Sequence, residues 1–159
     1  MQRWSDPRQT EDADLTLLTG FGGEEGFVDA LLGRFMPRTP REREAAAFRR
    51  VVLLQVGDGT GVDIALGALP FEEHAVDRAT PWRIDAERAL ITCSAEDLIV
   101  HKAFAARDLD WADVAGVVMR HGRKLNVQQI WEELRPLVAL KEEPEILAKL
   151  QKIFDQHLD

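Results

Sequence analysis

Arg50-Val51-Val52-Leu53-Leu54-Gln55-Val56-Gly57-Asp58-Gly59-Thr60-Gly61-Val62-Asp63-Ile64-Ala65-Leu66 is the stretch that decides the fold. It opens on an apolar, β-branched run, passes through a glycine-rich turn and becomes apolar again, the composition of an antiparallel hairpin. One residue is out of keeping with an apolar strand. Asp63 must face away from the core or serve a site, because a carboxylate buried without partners is costly.

Upstream of the hairpin, Asp12 to Thr19 alternates acidic or polar with apolar residues and predicts a strand. The turn Phe21-Gly22-Gly23 follows, and Glu24 to Phe35 then reads as helical. Downstream, a helix is predicted near Pro70, with Glu72 and Glu73 in its first turn where acids complement the positive helix end, and a short strand near Ala89 to Thr92. From Ser94 onward the chain reads as helical. Ser94-Ala95-Glu96-Asp97 has the form of a capping box, Asp110-Trp111-Ala112-Asp113 repeats it, and Asn126-Val127-Gln128-Gln129 offers a third version. Gly122 is expected to stop a helix, Pro136 to interrupt the next and Pro144 to open the last. The predicted class is α+β. A small mixed, mainly antiparallel sheet with flanking helices occupies residues 1–93, and a helical half occupies 94–159, the two forming one compact unit.

Composition narrows the function classes. The chain has 159 residues, 45% of them hydrophobic, enough for one cored domain. A net charge of -8 gives no bulk attraction for polyanions, so any nucleic-acid contact must be local. The lone Cys93, within the apolar run Ala89 to Cys93, permits no disulfide within the chain and no cysteine metal site, and reads as a buried structural thiol. The N-terminus has no hydrophobic signal-type region and no segment approaches a membrane span, so a cytoplasmic protein with no membrane partner is expected. His74, His101, His121 and His157 lack metal-ligand spacing, and the glutamates in Phe21-Gly22-Gly23-Glu24-Glu25-Gly26 would repel phosphate. Arg41-Glu42-Arg43-Glu44 with Arg49-Arg50 reads as a solvated helix face. The four tryptophans are scattered like core or interface anchors, not set out as a base-stacking platform.

The candidate chemistry lies in Glu11-Asp12-Ala13-Asp14-Leu15. Residues two apart on a strand share a face, so Asp12 and Asp14 project together, and two like charges side by side are unfavourable unless a cation or water separates them. If the strand of Asp63 pairs beside them, three carboxylates converge. Such a set suits Mg²⁺, or Mn²⁺, which prefers oxygen ligands and keeps waters that phosphate can replace. Asp12 and Asp14 are then metal ligands, and Asp63 is the third ligand or a general base. The competing account is a solvated strand end with a turn-proximal acid after Gly61.

Thr10-Glu11-Asp12-Ala13-Asp14-Leu15 followed by Val62-Asp63-Ile64 resembles the pattern of the DNA polymerase β-like nucleotidyltransferase superfamily. The stretch from Ser94 to Asp113, with Leu98-Ile99-Val100-His101-Lys102 and Ala106-Arg107-Asp108-Leu109-Asp110-Trp111-Ala112-Asp113, is similar to its AbiEii-type toxin branch. The resemblance spans about Arg3 to about Leu140. It implies transfer of a nucleoside monophosphate from an NTP to an acceptor hydroxyl on RNA such as tRNA, on protein or on a small molecule. It also implies a toxin–antitoxin or phage-defence setting with an antitoxin partner. Lys102 would contact the nucleotide phosphates, Asp113, or alternatively Asp110, would be the acidic position of the helical half, and Arg107 would support the phosphates or pair with those acids. The superfamily also carries a Gly-Gly or Gly-Ser pair upstream of its Asp-x-Asp strand, whereas no glycine precedes Gly20 here. The expectation is a start assigned too far downstream or a nucleotide cradle lost in part. The alternative is a catalytically inactive member acting as a binding or assembly module, for example as a homodimer.

Overall fold

The computed structural model describes residues 3–5, 12–57 and 59–158. It is an α+β protein in two compact units: Gln9–Asp77, and Met1–Arg8 joined by Arg78–Asp159. The division between the units falls at 77/78, so the short ribbon upstream of residue 94 is grouped with the helices that follow it.

The first unit runs β1 (Asp12–Leu18), α1 (Glu24–Leu32), β2 (Met36–Pro37), α2 (Glu42–Arg49), β3 (Val51–Val56), β4 (Thr60–Gly67) and α3 (Pro70–Asp77). Its sheet has the order β1-β4-β3-β2. β3 pairs antiparallel with β4 and with β2, as the hairpin reading requires, while β1 lies parallel to β4. The pleat turns Val52 and Leu54 of β3 and Ile64 and Leu66 of β4 to one face, where they are buried with Val28 of α1 and Ala46 of α2. Burial of each such Val, Leu or Ile contributes about 1.5–3 kcal/mol, and this face is what holds the unit together. The other face carries Asp12, Asp14 and Asp63.

Three local devices fix these elements. Arg50 caps α2 in the left-handed conformation at φ 53°, a cost offset by its guanidinium: Nη2 donates to Leu66 O at 2.6 Å and Gly20 O at 3.2 Å, Nη1 pairs with Glu24, and the group lies over the Phe21 ring. Hydrogen bonding from Arg50 holds the Glu24 carboxyl below its usual range. Glu72 Oε2 accepts from the amides of Ala68 and Leu69, both at 2.8 Å, satisfying donors at the start of α3. Glu42, expected on a solvated face, is instead 1% exposed. Its Oε1 accepts from Leu53 N–H at 2.8 Å and Arg49 Nη2 at 2.7 Å, and its Oε2 from Thr39 Oγ1 at 2.9 Å. The two-residue β2 is too short to serve that Leu53 amide, and the Glu42 carboxylate takes the place of a strand partner.

The second unit consists of β5 (Thr80–Arg83), β6 (Ala89–Thr92), α4 (Ala95–Ala105), α5 (Asp108–His121), α6 (Val127–Lys141) and α7 (Glu145–His157). β5 and β6 form an antiparallel ribbon, to which Arg3 is tied by Nη1 bonds to Thr80 O at 3.1 Å and Thr92 Oγ1 at 2.7 Å. Trp4 Nε1 donates to Cys93 O at 2.9 Å. Ser94 caps α4 through Asp97 N–H at 3.0 Å, Asn126 caps α6 through Gln129 N–H at 3.2 Å, Gly122 ends α5 with φ 51°, and Pro144 precedes α7, all as predicted.

Two expectations fail here. Pro136 does not interrupt its helix: α6 runs through it, because burying Ile130, Leu134, Leu137 and Val138 outweighs the roughly 3 kcal/mol that an interior proline costs. Asp110 does not open a helix: α5 begins at Asp108, and the Asp110 carboxylate is drawn into ion pairs instead of capping. Cys93, expected to be buried, is half-buried; desolvation, reinforced by the Asp97 charge, still raises its thiol above the ordinary range. Among the described residues, no helix is long and apolar enough to cross a membrane.

Candidate functional site

The site is built from the register of four strands. β1 runs beside β4 with Asp14 opposite Asp63 and Asp12 opposite Gly61. Because partners in register share a face, and so do residues i and i+2, Asp12, Asp14 and Asp63 all project from the side of the sheet away from the α1–α2 core. The condition set by the sequence, that the strand of Asp63 lie beside the strand of Asp12 and Asp14, is met.

The same register brings in a residue that sequence reasoning missed. Asp63 faces Leu53 on β3, and Leu53 O accepts from Arg38 N–H at 3.0 Å just past β2. Arg38, Leu53, Asp63 and Asp14 therefore form one row across the sheet. The Arg38 side chain lies over that row: its guanidinium pairs with Asp63 through Nη2 and approaches Asp12 Oδ1 through Nη1 at 3.4 Å. Arg38 and Asp63 are each 29% exposed, so this pair is only partly screened by solvent. No periodicity marks Arg38, which follows a strand of two residues containing Pro37. The available signal was the need for a countercharge beside an acid in an apolar strand.

Gly61 supplies the space. A Cβ there would collide with the Asp12 carboxylate, lying 2.9 Å from its Cγ, and would stand 3.1 Å from Arg38 Nη1. The Asp12 side chain thus folds over a bare backbone position, and only glycine allows it. On the next row, Met36 and Gln55 border an open depression of about 360 Å³ with Val56, Gly57 and Gly59.

The donor chemistry of this face fits a hard divalent cation: three carboxylates on one side, Asp12 and Asp14 exposed and Asp63 half-buried, with Asp12 folded over Gly61. As placed, the three do not close into a ligand set, and among the described residues no three His, Cys, Asp or Glu side chains do so. Arg38 is the positive charge between Asp12 and Asp63.

The other predicted residues form a second cluster, in the helical unit. Lys102 Nζ lies 2.9 Å from Asp110 Oδ1 and 3.3 Å from Asp113 Oδ2, while Arg107 Nε donates to Asp110 Oδ2 at 2.6 Å. Asp110 and Asp113 are buried at 2% and 6% exposure. Burial pushes the Asp110 carboxyl upward, but hydrogen bonds from Arg107 and Lys102 outweigh it and hold the group below its usual range. Lys102, Arg107, Asp110 and Asp113 are therefore brought together as one network joining α4 to α5. In it the Lys102 ammonium is shared by two carboxylates.

A second buried network went unread in the sequence. Asp97 is fully buried, and its carboxylate accepts from Arg78 Nε at 3.2 Å to each oxygen, from Arg78 Nη2 at 2.6 Å and from Ser94 Oγ at 2.6 Å. Arg78 Nη1 also reaches Glu133 Oε1 at 2.8 Å. The capping box at Ser94 was legible, but not that its acid anchors an arginine from before β5.

Compared with models of known protein families, the chain matches none, and a search of curated proteins likewise finds no match.

Proposed function

We propose that the carboxylate face of the sheet unit is the metal and triphosphate site of a nucleotidyltransferase, which moves a nucleoside monophosphate from an NTP to an acceptor hydroxyl. One observation carries this reading: Asp14 and Asp63 stand in register on parallel neighbouring strands, with Asp12 on the same face above Gly61. The likeness of the Asp-x-Asp and Val-Asp-Ile segments to the polymerase β-like superfamily supports it.

Asp12 and Asp14 would hold Mg²⁺ or Mn²⁺, with Asp63 as third ligand or as the base that takes the acceptor proton. When bound, such an ion neutralises charge on triphosphate oxygens and lowers the pKa of a hydroxyl. The chain's own contribution is positional. The register fixes the spacing of the carboxylates, Gly61 leaves room for Asp12, and Arg38 offers a guanidinium beside the place where phosphate charge would gather. Lys102, which the resemblance assigns to the phosphates, would have to leave Asp110 and Asp113 to reach one. We therefore assign its cluster first to holding α4 against α5.

The test mixes the protein with labelled NTPs, Mg²⁺ and total tRNA, in parallel with protein and small-hydroxyl acceptors, and compares it with Asp63→Ala. Metal-dependent label transfer that Asp63→Ala abolishes is expected. Absence of both transfer and metal-dependent NTP binding would sink the reading. The salt bridges of Arg38 favour a second reading, an inactive binding module whose carboxylates are neutralised from within. On that reading Asp63→Ala changes stability and nothing else.

A further inference from the structure

Arg38 enters neither the sequence pattern nor the resemblance, yet it is the residue on which two of the three carboxylates converge. Its backbone is pinned by the bond to Leu53 O, so its guanidinium cannot drift far from the row of Asp63 and Asp14. Its side chain bridges two strands, from Asp63 on β4 to Asp12 on β1. A divalent cation ligated by Asp12 and Asp63 and a guanidinium paired with the same oxygens are mutually exclusive, both by occupancy and by like-charge repulsion. Three carboxylates with one guanidinium leave two negative charges on the face, and with the guanidinium turned away they leave three.

We propose that Arg38 is a resident counter-cation of the carboxylate face: it holds Asp12 and Asp63 in place before metal arrives, opposes binding of bare metal, and swings to the phosphates when metal arrives with a nucleoside triphosphate. The inference rests on the preceding reading of the face. It assigns Arg38 a positioning role and explains why the carboxylates do not close on one another as they stand. The planar fork of arginine suits the exchange, since it meets carboxylate and phosphate oxygens with the same geometry. The consequence is selectivity. Metal alone binds weakly, and metal with triphosphate binds well, because only the triphosphate gives the displaced guanidinium a new partner.

The experiment measures Mn²⁺ binding to the full chain by the loss of the free-ion EPR signal, with and without a non-hydrolysable ATP analogue, for the unmodified protein, Arg38→Ala, Arg38→Gln and Asp63→Asn. Removal of the competing charge should tighten Mn²⁺ alone by about fivefold, the order expected for partly exposed ion pairs. It should also weaken Mn²⁺ with the analogue relative to the unmodified protein. Equal Mn²⁺ affinity in Arg38→Ala, Arg38→Gln and the unmodified chain, with binding lost in Asp63→Asn, would overturn the role of Arg38 while leaving the metal site standing. No Mn²⁺ binding by any variant, analogue present or not, would overturn the metal site itself and this role with it. A measurement without substitutions decides the case where the variants do not fold. Phenylglyoxal modification of Arg38, which is 29% exposed at rest, is read by peptide mapping and should slow when Mn²⁺ and the analogue are added together, because the guanidinium is then covered by phosphate. An unchanged rate, with Mn²⁺ and analogue bound, refutes the swing.

Discussion

Replacing Glu42 tests the most unusual support beneath the site. Glu42→Ala removes the acceptor of Leu53 N–H at a place where β2 has ended and no strand can replace it. An orphaned backbone donor that is partly shielded costs about 1–3 kcal/mol. Loss of the bond from the Thr39 hydroxyl adds about 0.5–1 kcal/mol. The Arg49 pair adds little, because that guanidinium is 39% exposed and returns to water. The sum is about 1.5–4 kcal/mol for Glu42→Ala. Glu42→Gln keeps the volume and one acceptor oxygen for Leu53 N–H and should cost about 1 kcal/mol.

The assay must be chosen with the aromatic residues in mind. All four tryptophans, Trp4, Trp82, Trp111 and Trp131, lie in the helical unit, and the chain has no tyrosine, so intrinsic fluorescence is silent about the sheet unit. Native-state hydrogen exchange resolved at Leu53, with urea unfolding by far-UV circular dichroism, reads the right region. Exchange at Leu53 should accelerate more than tenfold in the alanine variant, a factor that about 1.4 kcal/mol supplies, and only modestly in the glutamine variant. If the two substitutions cost the same, or if Leu53 exchange is unchanged in Glu42→Ala, the claim that this carboxylate stands in for a strand is wrong.

Other perturbations separate structure from site. Gly61→Ala should cost the fold less than about 1 kcal/mol, since the obstructed atoms belong to the ends of two side chains, Asp12 and Arg38, yet it should weaken Mn²⁺ binding severely by evicting Asp12; calorimetry with a parallel melt checks both. Asp110→Asn should destabilise the helical unit by about 2 kcal/mol at neutral pH, measured by tryptophan fluorescence in urea. The folded-state pKa of Asp110 is depressed, so its contribution is fully present above the unfolded value near pH 4 and is lost as pH falls through the lower folded value. The variant should accordingly show a flatter acid limb than the unmodified chain, and parallel acid limbs would contradict the ion-pair account. Arg78→Ala leaves the buried Asp97 carboxylate with Ser94 and Gln129 as its remaining side-chain donors among the described residues and should cost about 3–5 kcal/mol in the same assay, whereas a loss under about 1 kcal/mol would place the strength of that network elsewhere.

Legibility in the sequence followed the range of the interaction. The hairpin at Gly57–Gly61, the caps at Ser94 and Asn126 and the stop at Gly122 depend on residues a few positions apart, and turn and cap chemistry announces them. The shared face of Asp12 and Asp14 was likewise a matter of strand period. What stayed hidden depended on pairings at a distance. The parallel contact of β1 with β4 crosses nearly fifty positions, β2 is too short to carry a period, and β5 became visible as a strand only through its partner β6. Glu42 and Arg38 were misread or missed for that reason: each looks like an ordinary surface charge until β3 lies beside it. Pro136 shows the opposite failure, a strong local signal overruled by four buried neighbours.

The tie of Trp4 and Arg3 to the ribbon and to Cys93 makes the sheet unit an insertion within the helical one. As the chain leaves the ribosome, residues 9–77 can complete their own sheet while Arg3, Trp4 and Ser5 wait for Thr80, Thr92, Cys93 and His121 to emerge. Once the sheet unit has folded, most of the 89-residue separation between Trp4 and Cys93 lies within a folded unit, and the entropy of closing it falls accordingly. Order of synthesis and order of assembly would thereby match: the unit carrying the carboxylates is free to mature first, and the two ends of the helical unit can meet only once residue 93 has been made.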